Sequence, residues 1–144
     1  MDDFYPMPAF VKLIVSDLER SMDWYERILG FRRVYLMPGP NGDPILAHLR
    51  FARYADLLLT PSAAPSEAGA GVTLCYTMPE QRTVDDLAEQ LRQHGHTPEE
   101  GPIDRPWNVR ELIVCDPDGY RLSFTQLANA ALNLDEVVQQ VQKS

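Results

Sequence analysis

The chain has little of what most protein chemistry requires. It has only two cysteines, Cys75 and Cys115, and they do not form a C-x-x-C pair. A disulfide framework and a thiolate metal site are therefore not expected, and both residues read as small hydrophobes buried in strands. The eight glycines build neither G-x-G-x-x-G nor a Walker loop, so the usual phosphate cradles are excluded. There is no G-x-S-x-G elbow, and neither cysteine shows a local basis for activation. No apolar run approaches the ~20 residues that cross a bilayer. The opening MDDFYPMPAF is acidic and lacks the basic and apolar segments of a secretory leader, so a cytoplasmic location is expected. Basic residues are scarce: 13 Lys and Arg face 21 Asp and Glu, a net charge of −8. Cationic neutralisation of phosphate supplies most non-specific affinity for nucleic acid, which makes nucleic acid an unexpected partner. Such an acidic field serves solubility, or it focuses a cationic ligand.

What the chain does have is a repeat. FVKLIVSDLERSMDWYERILGF (10–31) and GVTLCYTMPEQRTVDDLAEQLRQHGH (71–96) share one plan, in which an alternating apolar run enters an amphipathic helix that stops at glycine. Val11, Leu13 and Val15 alternate with Phe10, Lys12 and Ile14, the period of a strand. Ser16 and Glu19 have capping-box spacing, and Leu18, Met22, Tyr25 and Leu29 then form one helical face. In the second copy Thr83 and Asp86 repeat the cap, and Val84, Leu87 and Leu91 the stripe. Trp24 falls beside the first stripe, as core or as a dimer contact. Each copy is followed by strand-like runs, at 45–52 and 55–62 and again at 109–116 and 120–127. MPGPNGDP (37–44) reads as a turn, 61–71 as a flexible linker, 99–108 as irregular and DPDG (116–119) as a tight hairpin. Asn133 caps a short tail helix whose Leu134, Val137, Val138 and Val141 share a face suited to docking. The organisation is therefore two βαβββ modules, 8–62 and 70–127, with a helix at 131–143, all forming one structural domain of α+β class.

A doubled βαβββ unit, with VSDLERSMDWY (15–25) at its first turn and DPDGYRLSF (116–124) at its last hairpin, resembles the vicinal oxygen chelate superfamily. Its members include glyoxalase I, extradiol dioxygenases, fosfomycin-modifying enzymes and bleomycin-resistance proteins. The resemblance covers residues 8 to 127 and implies a cup-shaped curved sheet, commonly in a homodimer. Metal-using members place four ligands in that cup, and the matching positions here are Phe10, Leu58, Thr73 and Ser123. None offers a carboxylate or an imidazole, so neither a metal nor any other cofactor is expected. No catalytic residue is assigned.

With the cup implied, strand parity directs Lys12, Asp56, Leu58, Arg121 and Ser123 into it, beside Phe10 and His48. His94 and His96, at the end of the second helix, read as ordinary surface residues. Trp107 sits in RPWNVRELIVCDPDG (105–119), which resembles the tryptophan-bearing stretch of bleomycin-resistance proteins and implies a stacking platform. The expected ligand-binding set is thus Phe10, Lys12, His48, Asp56, Leu58, Trp107, Arg121 and Ser123. The expected ligand is a small hydrophobic or aromatic molecule, such as an antibiotic, bound without metal. Two other readings stand beside it. One is a lyase or dioxygenase with replacement ligands from His48, Asp56 and Glu111. The other is an interaction module that docks through its tail helix. Lys12 and Arg121 leave the ligand's charge open, because they would either pair with Asp56 or Glu111 or select an anion. Glu99, Glu100 and Asp104 would form an acidic rim near Trp107.

Overall fold

The alternating runs fold as strands and the striped runs as helices in a computed structural model that describes residues 4–63 and 67–144. The first three residues of the opening segment and residues 64–66 of the 61–71 linker lie outside the described residues. The elements are β1 (Val11–Val15), α1 (Leu18–Arg27), β2 (Arg32–Pro38), β3 (Pro44–Ala52), β4 (Ala55–Pro61), β5 (Thr73–Thr77), α2 (Val84–Gln93), β6 (Glu100–Arg105), β7 (Val109–Cys115), β8 (Arg121–Leu127) and α3 (Leu134–Gln142). They make two four-stranded sheets, ordered β1-β4-β3-β2 and β5-β8-β7-β6. In each, the strand before the helix pairs in parallel with the last strand of its module, and the other pairings are antiparallel. This is the expected α+β architecture of two βαβββ modules. The chain divides into two compact units, Met1–Val72 with Asp116–Tyr120, and Thr73–Cys115 with Arg121–Ser144.

In the first unit α1 covers one face of its sheet. Leu13 and Val15 of β1, Leu49 of β3, and Leu57 and Leu59 of β4 are buried against Leu18, Met22 and Tyr25 of the helix and Leu29 just beyond it. Phe31 links the two layers, with ring centroids 5.2 Å from Tyr25 and 5.1 Å from Phe51. Trp24 meets the Tyr25 ring edge-on at 5.1 Å. The cap differs from expectation: Asp17, not Ser16, is the N-cap residue, accepting from the Arg20 amide. The Ser16 hydroxyl instead donates to Asp118 at 2.6 Å.

That contact belongs to the β7–β8 turn, residues 116–120, which completes the first unit. The buried Asp116 carboxylate accepts from the Tyr25 hydroxyl at 2.7 Å and from the backbone of Asp118 and Tyr120 at 2.9 Å. The Tyr120 hydroxyl donates to the Ile14 carbonyl at 2.8 Å. Burial pushes the Asp116 carboxyl above its usual range, although these donors favour the anion.

In the second unit α2 does the same for the other sheet, with Val84, Leu87 and Leu91 packed against Tyr76, Leu112, Leu122 and Phe124. Its capping box forms as expected, Thr83 and Asp86 each accepting from the other's amide. Two expectations give way here. The stretch read as irregular contains β6, which pairs with β7 through a register shift between Glu100 and Ile103. Gly101 makes that shift possible: its φ is 86°, and a Cβ there would lie 2.2 Å from the Glu111 carbonyl. Cys75 and Cys115 are exposed, not buried, because their parity points them away from α2. The tail helix α3 touches the β6–β7 turn through Gln140, which donates to the Pro106 carbonyl at 2.9 Å. Its Leu134, Val138 and Val141 remain exposed. Among the described residues no helix is long and apolar enough to cross a membrane.

Two substitutions test this packing by urea denaturation. Thr83→Ala should cost about 1 kcal/mol, the typical loss of an N-cap. Tyr25→Phe should cost roughly 1–3 kcal/mol, because it strips a donor from a buried carboxylate. An unchanged midpoint for Tyr25→Phe would remove the Asp116 bond from the list of stabilising contacts.

Candidate functional site

Each sheet buries one face under its helix and presents the other. On the open face of the first sheet, one row across the strands reads Lys12, Leu58, His48 and Tyr35, and a second reads Asp56, Arg50 and Arg32. Phe10 precedes β1 and is 49% exposed. Asp56 is the centre of a buried cluster. It accepts from the Tyr5 hydroxyl at 2.7 Å and from Arg50 Nε at 2.7 Å, and His48 Nε2 lies 2.8 Å away. The Arg50 guanidinium stacks 4.1 Å from the centre of the Tyr5 ring, and the Tyr5 hydroxyl also accepts from the Tyr54 amide. Burial alone would push the Asp56 carboxyl up. The hydrogen bonds from Tyr5, His48 and Arg50, together with the Arg50 charge, outweigh it and hold the carboxyl below its usual range. Burial and the neighbouring Asp56 push the Tyr5 hydroxyl up.

The open face of the second sheet carries a linear polar chain. The buried Ser123 hydroxyl donates to Glu111 at 2.5 Å, and Glu111 accepts from Arg105 Nε at 2.8 Å. Arg105 also reaches Glu100 at 2.9 Å and lies 5.9 Å from the centre of the Trp107 ring. Those two carboxylates hold the guanidinium firmly charged. Trp107, in the β6–β7 turn, is 53% exposed. Arg121 pairs in register with Thr73 and Cys115, and its nearest ion-pair partner is Glu99 at 3.7 Å.

Of the eight residues singled out from sequence, the structure joins His48 to Asp56 directly. Neither Lys12 nor Arg121 takes Asp56 or Glu111 as a partner, because Arg50 and Arg105 are already there. The acidic rim is largely neutralised: Glu100 pairs with Arg105, Asp104 with Arg110, and Glu99 accepts from the Cys115 thiol. Tyr5 and Arg105 are central to the two clusters and were not singled out. Tyr5 lies before the first strand, so no periodicity marks it. A separate cavity of about 380 Å³ lies beside α2, lined by Asp85, Glu89, His96 and Pro102 among others, and none of the eight residues lines it.

The four positions that the resemblance matched to chelating ones, Phe10, Leu58, Thr73 and Ser123, hold a phenyl ring, an isobutyl group and two hydroxyls. A divalent ion needs several strong oxygen or nitrogen donors converging on one point, and this donor set does not fit one. Among the described residues, no three His, Cys, Asp or Glu side chains gather as a metal site would require.

Paired βαβββ modules, each with a helix on one face of its sheet, define the fold class. Residues 8–124 match the glyoxalase/bleomycin resistance protein/dioxygenase superfamily, and the chain belongs to it. A lactoylglutathione lyase of Escherichia coli O157:H7 is 26% identical over 127 residues, covering 85% of this chain and 93% of that protein. The crystal structure of TnmS3, an antibiotic binding protein from Streptomyces sp. CB03234, is 25% identical with a TM-score of 0.64, over 82% of this chain and 93% of that one. An integron cassette protein from the mobile metagenome of the Halifax Harbour sewage outfall shares the fold at 23% identity and a TM-score of 0.65, over 82% of this chain and 96% of that one.

The Asp56 cluster sets a pH dependence. A carboxyl held below its ordinary value of about 3.9 stabilises the fold fully above that value, and the stabilisation is lost as pH falls through the folded value. Asp116, shifted the other way, loses its contribution as pH rises through its own folded value. Asp56→Asn should cost about 3–5 kcal/mol at neutral pH, because Arg50 stays buried without its counter-charge. The gap between wild type and variant should narrow below about pH 4. Urea midpoints at neutral and acid pH check this, and a gap independent of pH would mean that Asp56 contributes shape rather than charge.

Proposed function

We propose that this protein binds or sequesters a small hydrophobic or aromatic molecule without using a metal. One observation carries the reading: of the four positions matched to chelating ones, Phe10 and Leu58 carry no donor atom, and the Ser123 hydroxyl is already given to Glu111. What the open faces offer instead is apolar and aromatic surface bordered by fixed polar groups, the usual make-up of a small-molecule site. Phe10, Leu58 and Trp107 supply contact area, and Lys12 and Arg121 supply charge. His48, Asp56 and Ser123 supply rigid polar walls. The antibiotic-binding protein of similar structure supports the same reading. The proposed working form is a cytoplasmic homodimer.

A metal-dependent lyase or dioxygenase is the second reading, and the lactoylglutathione lyase relatives favour it. It needs replacement ligands from His48, Asp56 and Glu111. Asp56 and Glu111 would first have to release Arg50 and Arg105. A third reading, an interaction module, draws on the exposed stripe of α3.

A thermal-shift screen of chelator-treated protein separates them. A ligand at 100 times its dissociation constant adds about 2.7 kcal/mol, a shift of roughly 5 to 10 °C for a chain of this size. Stabilisation by aromatic compounds and not by divalent metals is the expected result. Stabilisation by a metal alone would put the enzyme first. Trp107→Ala should weaken binding of the stabilising compound by about tenfold, the loss of one stacking contact. Its melting temperature should stay near wild type, and a large fall would make Trp107 a packing residue.

A further inference from the structure

An imidazole has two nitrogens, and the Asp56 cluster uses only one of those on His48. Asp56 is a buried carboxylate that takes Arg50 as its counter-charge and also accepts from the Tyr5 hydroxyl. An ionised carboxylate has lone pairs and no proton to give, so the nitrogen facing it must bring the hydrogen. That nitrogen is His48 Nε2, 2.8 Å from Asp56 Oδ1. With Arg50 already balancing the charge, the neutral ring completes the cluster. Its proton sits on Nε2, and Nδ1 is left as a lone-pair acceptor.

Nothing in the cluster takes up Nδ1. It has no hydrogen-bond partner among the described residues, and it is not one of the buried atoms left without one. It therefore meets solvent, although His48 as a whole is only 8% exposed. The strand register sets Leu58 on one side of His48 and Tyr35 on the other. Leu58 is half-buried and Tyr35 is 44% exposed. Adjacent strands lie about 4.8 Å apart, so a bicyclic ring laid along this row touches both neighbours of the imidazole. Asp56, itself held by Tyr5 and Arg50, fixes the ring's tautomer, so the acceptor is set in direction as well as in kind.

We infer that the open face of the first sheet selects an aromatic molecule bearing a hydroxyl group, with His48 Nδ1 accepting the hydroxyl hydrogen. This rests on the binding reading above and names the class of ligand within it. A phenolic hydroxyl suits the place because it is a neutral donor in the plane of the ring that covers Leu58 and Tyr35. A ring without a donor would strip water from Nδ1 and leave it unpaired, which lowers affinity. A site built to bond a hydroxyl rejects the analogue that lacks one for the same reason.

Two probes of nearly equal shape decide the matter: 2-naphthol and its methyl ether, which keeps the oxygen and loses the hydrogen. Each is titrated calorimetrically into wild type, His48→Phe and His48→Gln. Wild type should bind naphthol about tenfold more tightly than the ether, the worth of one hydrogen bond. His48→Phe should bring naphthol down to the level of the ether and leave the ether unchanged. His48→Gln retains an N–H for Asp56 while withdrawing the ring acceptor, so it should lose the preference and keep the wild-type melting temperature. Nitrogen-15 spectra of the wild-type imidazole add a readout that a purely structural histidine would not move. They should show the hydrogen on Nε2, and the Nδ1 resonance should shift with naphthol and not with the ether. Equal binding of the two probes, a preference that survives both variants, or a hydrogen found on Nδ1 would overturn the selection. If neither probe binds while other aromatic compounds stabilise the protein, this inference falls and the binding reading stands. If no aromatic compound stabilises it, both fall.

Discussion

Each sheet in this protein has one helix to cover it, and one helix covers one face. That constraint organises everything else. Strand residues alternate in direction, so every second residue must satisfy the core and its neighbours must satisfy solvent or a ligand. Leu13, Val15, Leu57 and Leu59 answer the first demand in one sheet, and Leu112, Leu122 and Phe124 in the other. The positions between them are free of packing duty, and the superfamily places its chemistry there.

In this chain those free positions have been spent on internal hydrogen bonds. Asp56 holds Tyr5, His48 and Arg50 in one cluster, and Glu111 ties Ser123 to Arg105 in the other. Buried polar groups satisfied in this way are rigid, because releasing any one partner strands another without water. A carboxylate locked to arginine is a poor metal ligand and a good wall. The proposed binding therefore rests on shape and stacking against fixed polar groups.

Much of the fold could be read from the sequence, because its cause is local. Period-two alternation marked β1 and β5, and stripes at helical spacing marked α1 and α2. The Thr83–Asp86 box was legible because its partners are three residues apart. Where adjacent residues could both cap, as with Ser16 and Asp17, spacing alone did not choose, and the partner that claimed Ser16 lies more than a hundred residues away. β6 was hidden because Gly101 and Pro102 interrupt its alternation. The cysteines were misplaced by following residue type over parity: Cys75 alternates with Tyr76, and only Tyr76 faces the core. The Asp56 cluster needed the β3–β4 register, which sets Arg50 directly opposite Asp56, and a tyrosine from outside every periodic segment.

The turn at 116–120 crosses the boundary that the repeat draws in the sequence. By sequence it belongs to the second copy, and by contact it belongs to the first unit. Its Tyr120 ring lies so close to Gly69 that a Cβ there would come within 2.7 Å of it, and its Asp116 receives Tyr25 of α1. A chain cut between the copies would give a first half without the Asp116 acceptor for Tyr25 and without the Tyr120 ring against Gly69. The second half would carry a turn folded for surroundings that it no longer has. The boundary between the sequence copies is therefore not the boundary between the compact units, and a cut made at the first would leave the Asp116–Tyr25 bond unmade.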